Sequence, residues 1–307
     1  MRITWLPDVE SRPRRVAVGE FDGVHLGHRA VIAGSDTVLT FEPHPLAVVR
    51  PEAAPKLLTS LELKAELVAE LGVEELVVIP FDEAFARQSA EAFIDDVLVG
   101  RLGATRVSVG ENFRFGHRAR GDTDLLRADG RFETRVVPLV EIEGEIASSS
   151  HVRGLVLAGE VEQASRFLGA PFRMRGVVQH GEKRGRELGF PTANLVPDPA
   201  LICPGHGVYA TPVTVDPPLP GGSARFCAAT SVGVRPTFRT GLGVLVEPYL
   251  IDFDGDLYGR TLTVEFVRRL RGEQRFASAD ELIEQMHRDV AAARAICAGD
   301  SATLPGR

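Results

Sequence analysis

In the first half of the chain, short runs rich in β-branched residues alternate with stretches of helical apolar spacing. Residues 15–19, 37–41, 76–79, 106–109 and 132–137 are predicted strands, each a brief apolar run bounded by turn residues. Between them, 59–71 has the clearest helical signature. Thr59 stands at the N-cap, Glu62 completes a capping box, and Gly72 lies where a C′ glycine belongs. Residues 89–102, ended by Gly103, repeat that design. Strands alternating with helices predict βαβ units. That means a parallel sheet covered on both faces, with ligands outside the carboxyl ends of its strands.

Near Ser148 the pattern changes. Two short helical stretches, 152–158 and 161–168, each close on a glycine (Gly159 and Gly169), and Ala170-Pro171 reads as a linker. Beyond it come period-2 runs at 173–179, 208–215, 226–234, 245–252 and 261–270, separated by Pro/Gly-rich turns such as 217–222. Such runs predict an antiparallel barrel or sandwich. A last helix starts at the capping box from Ser278 to Glu281. Its stripe of Leu282, Met286, Val290, Ala293 and Cys297 is spaced to pack on the strands as core. The expected class is α/β in two domains, residues 1–169 and residues 170–300.

Composition narrows the partners. A chain of 307 residues accommodates two ordinary domains, and 44% hydrophobic with 25% charged residues is a globular composition. A formal net charge of -7 argues against nucleic acid as a partner, whereas small phosphorylated ligands need only local donors and a few cations. Cys203, Cys227 and Cys297 show no C-x-x-C spacing. Neither a disulfide scaffold nor a structural zinc site is expected, and a reducing cytoplasm is. Residues 1–15 lack the apolar core of a signal peptide, and no apolar run approaches a membrane span.

Two segments carry candidate chemistry. The first is GEFDGVHLGH, residues 19–28, which follows the first predicted strand and opens the first helix. His25 and His28 lie three apart and so share one face of the first turn, where unpaired N–H groups already attract phosphate. Gly23 and Gly27 keep side chains out of the approach. The plain alternative is a helix cap with two surface histidines. The second segment is HGEKRGRELGFPTANL, residues 180–195. Gly181, Gly185 and Gly189 let the backbone fold closely around a ligand, with Lys183, Arg184 and Arg186 as cations. Thr192 and Asn194 share one strand face, and their oxygens suit Mg²⁺ carrying nucleotide phosphates. A glycine-rich hairpin with a solvated basic tip fits that composition equally well.

FDGVHLGH resembles the H-x-G-H signature of Rossmann-like nucleotidyltransferases. Together with TFEPHP (40–45), GENFRFG (110–116) and SSSHVR (148–153), it is similar to the bacterial bifunctional riboflavin kinase/FAD synthetase family. GFPTAN (189–194) and VEPYLIDFDGDLYG (246–259) resemble the riboflavin kinase half of that family, an antiparallel barrel. The resemblance implies phosphorylation of riboflavin to FMN, then adenylylation of FMN to FAD with release of pyrophosphate. It implies that His25 and His28 serve catalysis, with Gly19, Phe21, Asp22, Gly27, Ser149, Ser150 and Arg153 at the ATP phosphates. In the second half, Gly181, Arg184 and Gly185 would bind phosphate, Thr192 and Asn194 would hold MgATP, and Glu247 would be the catalytic base. His44, Asn112, Tyr209 and Phe253 are the flavin-lining candidates. The implied ligands are riboflavin, FMN, FAD, ATP and Mg²⁺, with no nucleic acid or membrane and with a homo-oligomer left open. The alternatives are a flavin-binding or regulatory protein with an impaired site, and a nucleotidyltransferase for another substrate.

Overall fold

The structure, a computed structural model, describes residues 1–180, 189–219, 224–235 and 243–300. By internal contacts the chain divides into two units, Met1–His151 and Val152–Arg307. The stretches 152–158 and 161–168, which the sequence pattern grouped with the first half, fall in the second unit.

In the first unit, β1 (Arg2–Trp5), β2 (Arg14–Val18), β3 (Thr37–Glu42), β4 (Glu75–Pro80), β5 (Ala104–Gly110) and β6 (Glu133–Val137) form a parallel sheet ordered β1-β4-β3-β2-β5-β6. The strand at Arg2–Trp5 was not expected. It is a four-residue edge strand, mostly exposed, so no apolar run marks it. The crossovers carry α1 (Leu26–Ile32), α2 (Pro45–Val49), α3 (Leu61–Ala69), α4 (Glu83–Ala86), α5 (Ala90–Ala92, continued as a π-helix over Phe93–Arg101) and α6 (Thr123–Ala128). Both sheet faces are covered. Val16 and Val18 belong to one apolar cluster with Leu39, Val107 and Leu98, while Ala17 between them belongs to another with Ile32, Val38 and Val68. Alternation of this kind along one strand is what a doubly covered sheet requires.

From β2 the chain moves through β3 to β4 on one side, and from β5 it moves to β6 on the other. The crevice at the carboxyl ends of β2 and β5 is therefore the topological switch point. The opposite, amino-terminal edge is closed by ions. Arg14, 2% exposed, donates from Nε to Glu75 Oε2 at 3.0 Å and from Nη1 to Leu102 O at 2.9 Å. Burial opposes ionisation of Glu75, but Arg14 and Thr4 hydrogen bonds and the charges of Arg14 and Arg2 hold it below the usual carboxylate range.

A hairpin of β7 (Glu141–Ile142) and β8 (Glu145–Ile146) then leads into α7 (Ser149–Ala158) and α8 (Val161–Leu168). The second unit adds β9 (Phe172–Gln179), β10 (Asn194–Leu195), β11 (Gly207–Asp216), β12 (Arg225–Arg235), β13 (Gly243–Leu250), β14 (Thr261–Phe266), β15 (Arg268–Arg271) and α9 (Ala279–Asp300). The order β12-β13-β10-β9-β14-β11 returns to β12, closing a six-stranded antiparallel barrel, with β15 pairing further along β11 after β14. The run expected at 261–270 is two strands broken at Val267: both pair with β11, and β14 pairs also with β9. On α9, Ala293 is fully buried against Ala210, Ala229 and Ile251, with Val290 beside it, as the stripe predicted. Leu282 and Met286 are only half-buried, and a bidentate pair of Arg271 with buried Asp289 holds that part of the helix instead.

Two further expectations are corrected. Cys227 and Cys297 are not separate thiols; β12 and α9 bring them to a Cα separation of 6.0 Å, and they form a disulfide. Spacing in sequence carried no sign of that meeting. The cap of α3 is Ser60, whose hydroxyl accepts from Leu63 N–H, and not Thr59, which is turned toward the loop at Asp22.

Candidate active sites

The segment between β2 and α1 is a tight, strained turn. Phe21 (φ 52) and Val24 (φ 44) both lie in the left-handed region, around Gly23 at φ 80. A β-branched residue there is a true outlier, and such strain costs about 1–3 kcal/mol per residue. Opposing it, the buried Asp22 carboxylate accepts from the N–H groups of Leu58 (2.9 Å) and Thr59 (3.1 Å). Gly23 N–H in turn donates to Thr59 Oγ1 at 3.2 Å. Asp22, a phosphate-site candidate, has its carboxylate turned inward on this loop; its carbonyl accepts from the Ser149 hydroxyl at 3.0 Å. The start of α7 is thereby tied to the turn, and Ser148 serves as the cap, accepting from His151 N–H.

The turn delivers His25 and His28 together. His25 is the N-cap of α1, its Nδ1 accepting from His28 N–H at 3.4 Å, so its neutral ring carries the proton on Nε2. The two rings stack with centroids 3.6 Å apart. Phe21, 1% exposed, meets the edge of His28 at 5.3 Å. Space is tight: a Cβ on Gly27 would lie 3.1 Å from the His25 ring and 3.2 Å from Ala147 O, and one on Gly19 would lie 3.0 Å from the Phe21 ring. Burial, then the neighbouring His25 and Lys64, push the His28 pKa well below the usual imidazole value. Its Nδ1 is buried with no hydrogen-bond partner among the described residues. Buried polar atoms are otherwise almost always satisfied, so this orphan, at the N-terminus of a helix, fits a polar ligand such as a phosphate chain.

Beside the pair opens a cavity of about 900 Å³ at the carboxyl ends of β2, β3 and β5. Phe41, Phe81, Phe85, Phe93, Phe113 and Phe115 line it, in edge, tilted and stacked contacts. Asn112 lies at its wall, just after β5. His44 caps α2, accepting from Leu46 N–H at 3.1 Å, next to the lining residues Pro45 and Leu46. Glu20 also lines this cavity. Burial pushes its carboxyl up to about 8; Lys64 opposes the shift, and Asp22 and Glu42 add to it. Lys64 is 4% exposed and donates to Thr40 Oγ1 at 3.4 Å.

Neither Glu20 nor Lys64 was singled out from the sequence. Glu20 sits inside the motif as an unremarked carboxylate, and Lys64 lies among the buried Leu63, Ala65, Leu67 and Val68 of α3. A lysine within an inward-facing apolar stretch was the available signal.

Ser149, Ser150 and Arg153 follow one another on the first turns of α7. Arg153 belongs to the second unit by contacts, and Ser150 is exposed.

In the barrel, Leu195 pairs with Val246, and Ala193 N–H donates to Pro248 O at 2.9 Å. This antiparallel register sets Asn194 across from Glu247. Both alternate with the buried Leu195 and Val246, so they share one face, with Thr192 two residues away on it. Asn194 is 8% exposed and Glu247 half-buried. Gly181, Arg184 and Gly185 lie outside the described residues. Phe253 stands edge-on to Phe226 at 5.2 Å, in a loop that Arg294 of α9 grips through Asp252. Tyr209 is fully buried; its hydroxyl donates to Gly205 O and its ring meets Phe266 at 5.3 Å. That places it in the barrel's packing.

A doubly covered parallel sheet with a stacked histidine pair at its switch point defines the class of dinucleotide- and nucleotide-handling α/β proteins, here followed by an antiparallel barrel. A FAD synthetase family model matches residues 8–151, and a riboflavin kinase family model matches residues 168–297. The bifunctional riboflavin kinase/FMN adenylyltransferase of Pseudomonas fluorescens is 38% identical over 94% of both chains. Those of Listeria monocytogenes and Escherichia coli are also 38% identical, over 92% and 91%. A crystal structure described as a macrolide-efflux protein from Streptococcus pneumoniae superposes with a TM-score of 0.84 at 29% identity, covering 96% of this chain and 99% of that one. The chain belongs to the bifunctional riboflavin kinase/FMN adenylyltransferase family. Among the described residues no helix is long and apolar enough to cross a membrane.

Proposed function

We propose that this chain converts riboflavin to FMN in its barrel unit and FMN to FAD in its parallel-sheet unit, consuming ATP in both steps. The stacked His25–His28 pair, at a helix N-terminus beside an aromatic cavity of flavin size, is the observation that carries the second step. There an FMN phosphate oxygen attacks the α-phosphorus of ATP, the bond to the bridging oxygen breaks, and pyrophosphate leaves. The two rings, His28 held neutral by its surroundings, act as hydrogen-bond donors to the charge that builds on the phosphates. Gly19 and Gly27 leave room for that approach, Phe21 fixes His28, and Asp22 acts by holding the turn. Ser149, Ser150 and Arg153 are assigned to the triphosphate, and Asn112, with the loop at His44, to the flavin.

In the barrel, Glu247 takes the proton from the riboflavin 5′-hydroxyl as that oxygen attacks the γ-phosphorus and ADP departs. Thr192 and Asn194 form an all-oxygen pair on the face of Glu247. That donor set fits Mg²⁺, which keeps substrate phosphates and water among its ligands. Among the described residues no cluster of three or more His, Cys, Asp or Glu could hold a metal alone. The cation would neutralise phosphate charge. Incubating the purified protein with riboflavin, ATP and Mg²⁺ and separating the flavins by chromatography is the test. FMN is expected first and FAD after it, with both lost in excess chelator. Unchanged riboflavin, or turnover that survives the chelator, contradicts the assignment.

A further inference from the structure

The aromatic cavity and the histidine pair are bridged by one short segment, and Glu20 stands at its centre. It follows Gly19, lines the cavity, and precedes the turn that presents His25 and His28. Gly19 and Glu20 are the lining residues that adjoin the turn, so a flavin whose rings occupy the cavity while its phosphate reaches the histidines would lay its ribityl arm along this segment. That arm carries hydroxyls and ends in a phosphate dianion. A carboxylate beside a dianion is repulsive, whereas a carboxylic acid donates one hydrogen bond and accepts another.

The surroundings decide which form is present. Asp22 lies in the same turn, Glu42 ends β3, and Lys64 projects from α3. Glu20 and Glu42 thus share one lysine. The Asp22 carboxylate is turned to the backbone N–H groups of Leu58 and Thr59, from which it accepts. Burial pushes Glu42 upward as well, with Lys64 opposing. His25, the cap of α1, stacks on His28, which is held neutral. On the cavity side the charged or titratable lining groups are Arg50, Glu83, Arg87, Arg114, His117 and Arg118; the charges that act on Glu20 are those of Lys64, Asp22 and Glu42.

We propose that Glu20, as the neutral acid, is the hydrogen-bonding contact for the ribityl-phosphate arm of FMN and makes flavin recognition at this site depend on its proton. This rests on the reading that the cavity receives FMN. It adds a specificity-determining residue, one that favours the phosphorylated flavin while protonated and disfavours it once ionised.

The experiment is the KM for FMN in FAD formation by the full chain, at saturating MgATP, followed from pH 7 to pH 9. FAD formation reports only the adenylylating site, and the phosphate's own second ionisation, near about pH 6, is finished before the range begins. With Glu20 titrating at about 8, the wild-type KM is expected to rise about tenfold by pH 9 with little change in kcat. Glu20→Gln keeps the shape and the donor without a titrating proton, so its KM is expected to stay flat and near the wild-type value at pH 7. Lys64→Met removes the charge that favours ionisation and is expected to move the rise to higher pH. A flat wild-type profile overturns the proposal, and so does a Glu20→Gln variant that keeps the rise. Phe113→Ala separates the two readings: a raised KM for FMN at pH 7 supports the cavity as the flavin site. An unchanged KM in that variant overturns the cavity reading itself, whatever Glu20 does.

Discussion

His28 combines three features: a stacked partner, a buried orphan nitrogen and a strained turn beneath it. His28→Ala is expected to lower FAD formation at least tenfold, about 1.4 kcal/mol of transition-state stabilisation, with FMN formation unaffected. Burial, His25 and Lys64 all hold its pKa below the usual imidazole value, so the neutral ring persists through the range in which an ordinary histidine titrates. A profile of FAD-forming kcat is therefore expected to show no histidine inflection near pH 6.5; one that His28→Ala removes would contradict a neutral donor. The motif made these two histidines legible, since spacing three at a helix start fixes their common face. Glu20 and Lys64 were not legible, because their meaning comes from burial and from neighbours on β3 and α3, far away in sequence. Tyr209 shows the converse: its position on β11 was readable, but not that its hydroxyl faces Gly205 O.

At the scale of elements, the two edges of the parallel sheet have different tasks. The carboxyl edge is the one to which the chemistry is assigned, and the amino edge is locked by Arg14 and Glu75, both nearly inaccessible. Glu75→Ala leaves a guanidinium buried without its carboxylate, which costs about 3–5 kcal/mol. Denaturant unfolding of the variant is expected to show that loss, while the KM for FMN in the remaining folded protein is unchanged. A loss below about 1 kcal/mol would mean that the pair is solvated like a surface bridge. Glu75 is held below the usual carboxylate range, so its contribution is present above the unfolded-state pKa and fades as pH falls through the lower folded value. Strands two to six and the long barrel strands were readable from apolar runs and turn residues. The edge strand Arg2–Trp5 and the split after Phe266 were not, since one has no apolar signal and the other is a register shift at Val267 along the same partner, β11. The cap of α3 moved by one residue because Thr59 has a stronger use, holding the turn at Asp22.

For the whole molecule, the residues proposed for each reaction divide with the contacts and with the family matches. The histidine pair and the aromatic cavity lie in Met1–His151, and Thr192, Asn194 and Glu247 lie in Val152–Arg307. The two-part architecture was legible from the switch between helical and period-2 patterns. The disulfide joining Cys227 to Cys297 was not, since only the packing of α9 on β12 brings the thiols together. The central claim is that two separate sites perform consecutive reactions, and paired point variants in the full chain test it most directly. With riboflavin, MgATP and chromatographic separation of flavins, Glu247→Gln is expected to leave riboflavin unchanged yet still convert supplied FMN to FAD. His28→Ala is expected to stop at FMN. If each variant, well folded, loses both steps, one composite site performs both reactions and the division proposed for the two units is wrong.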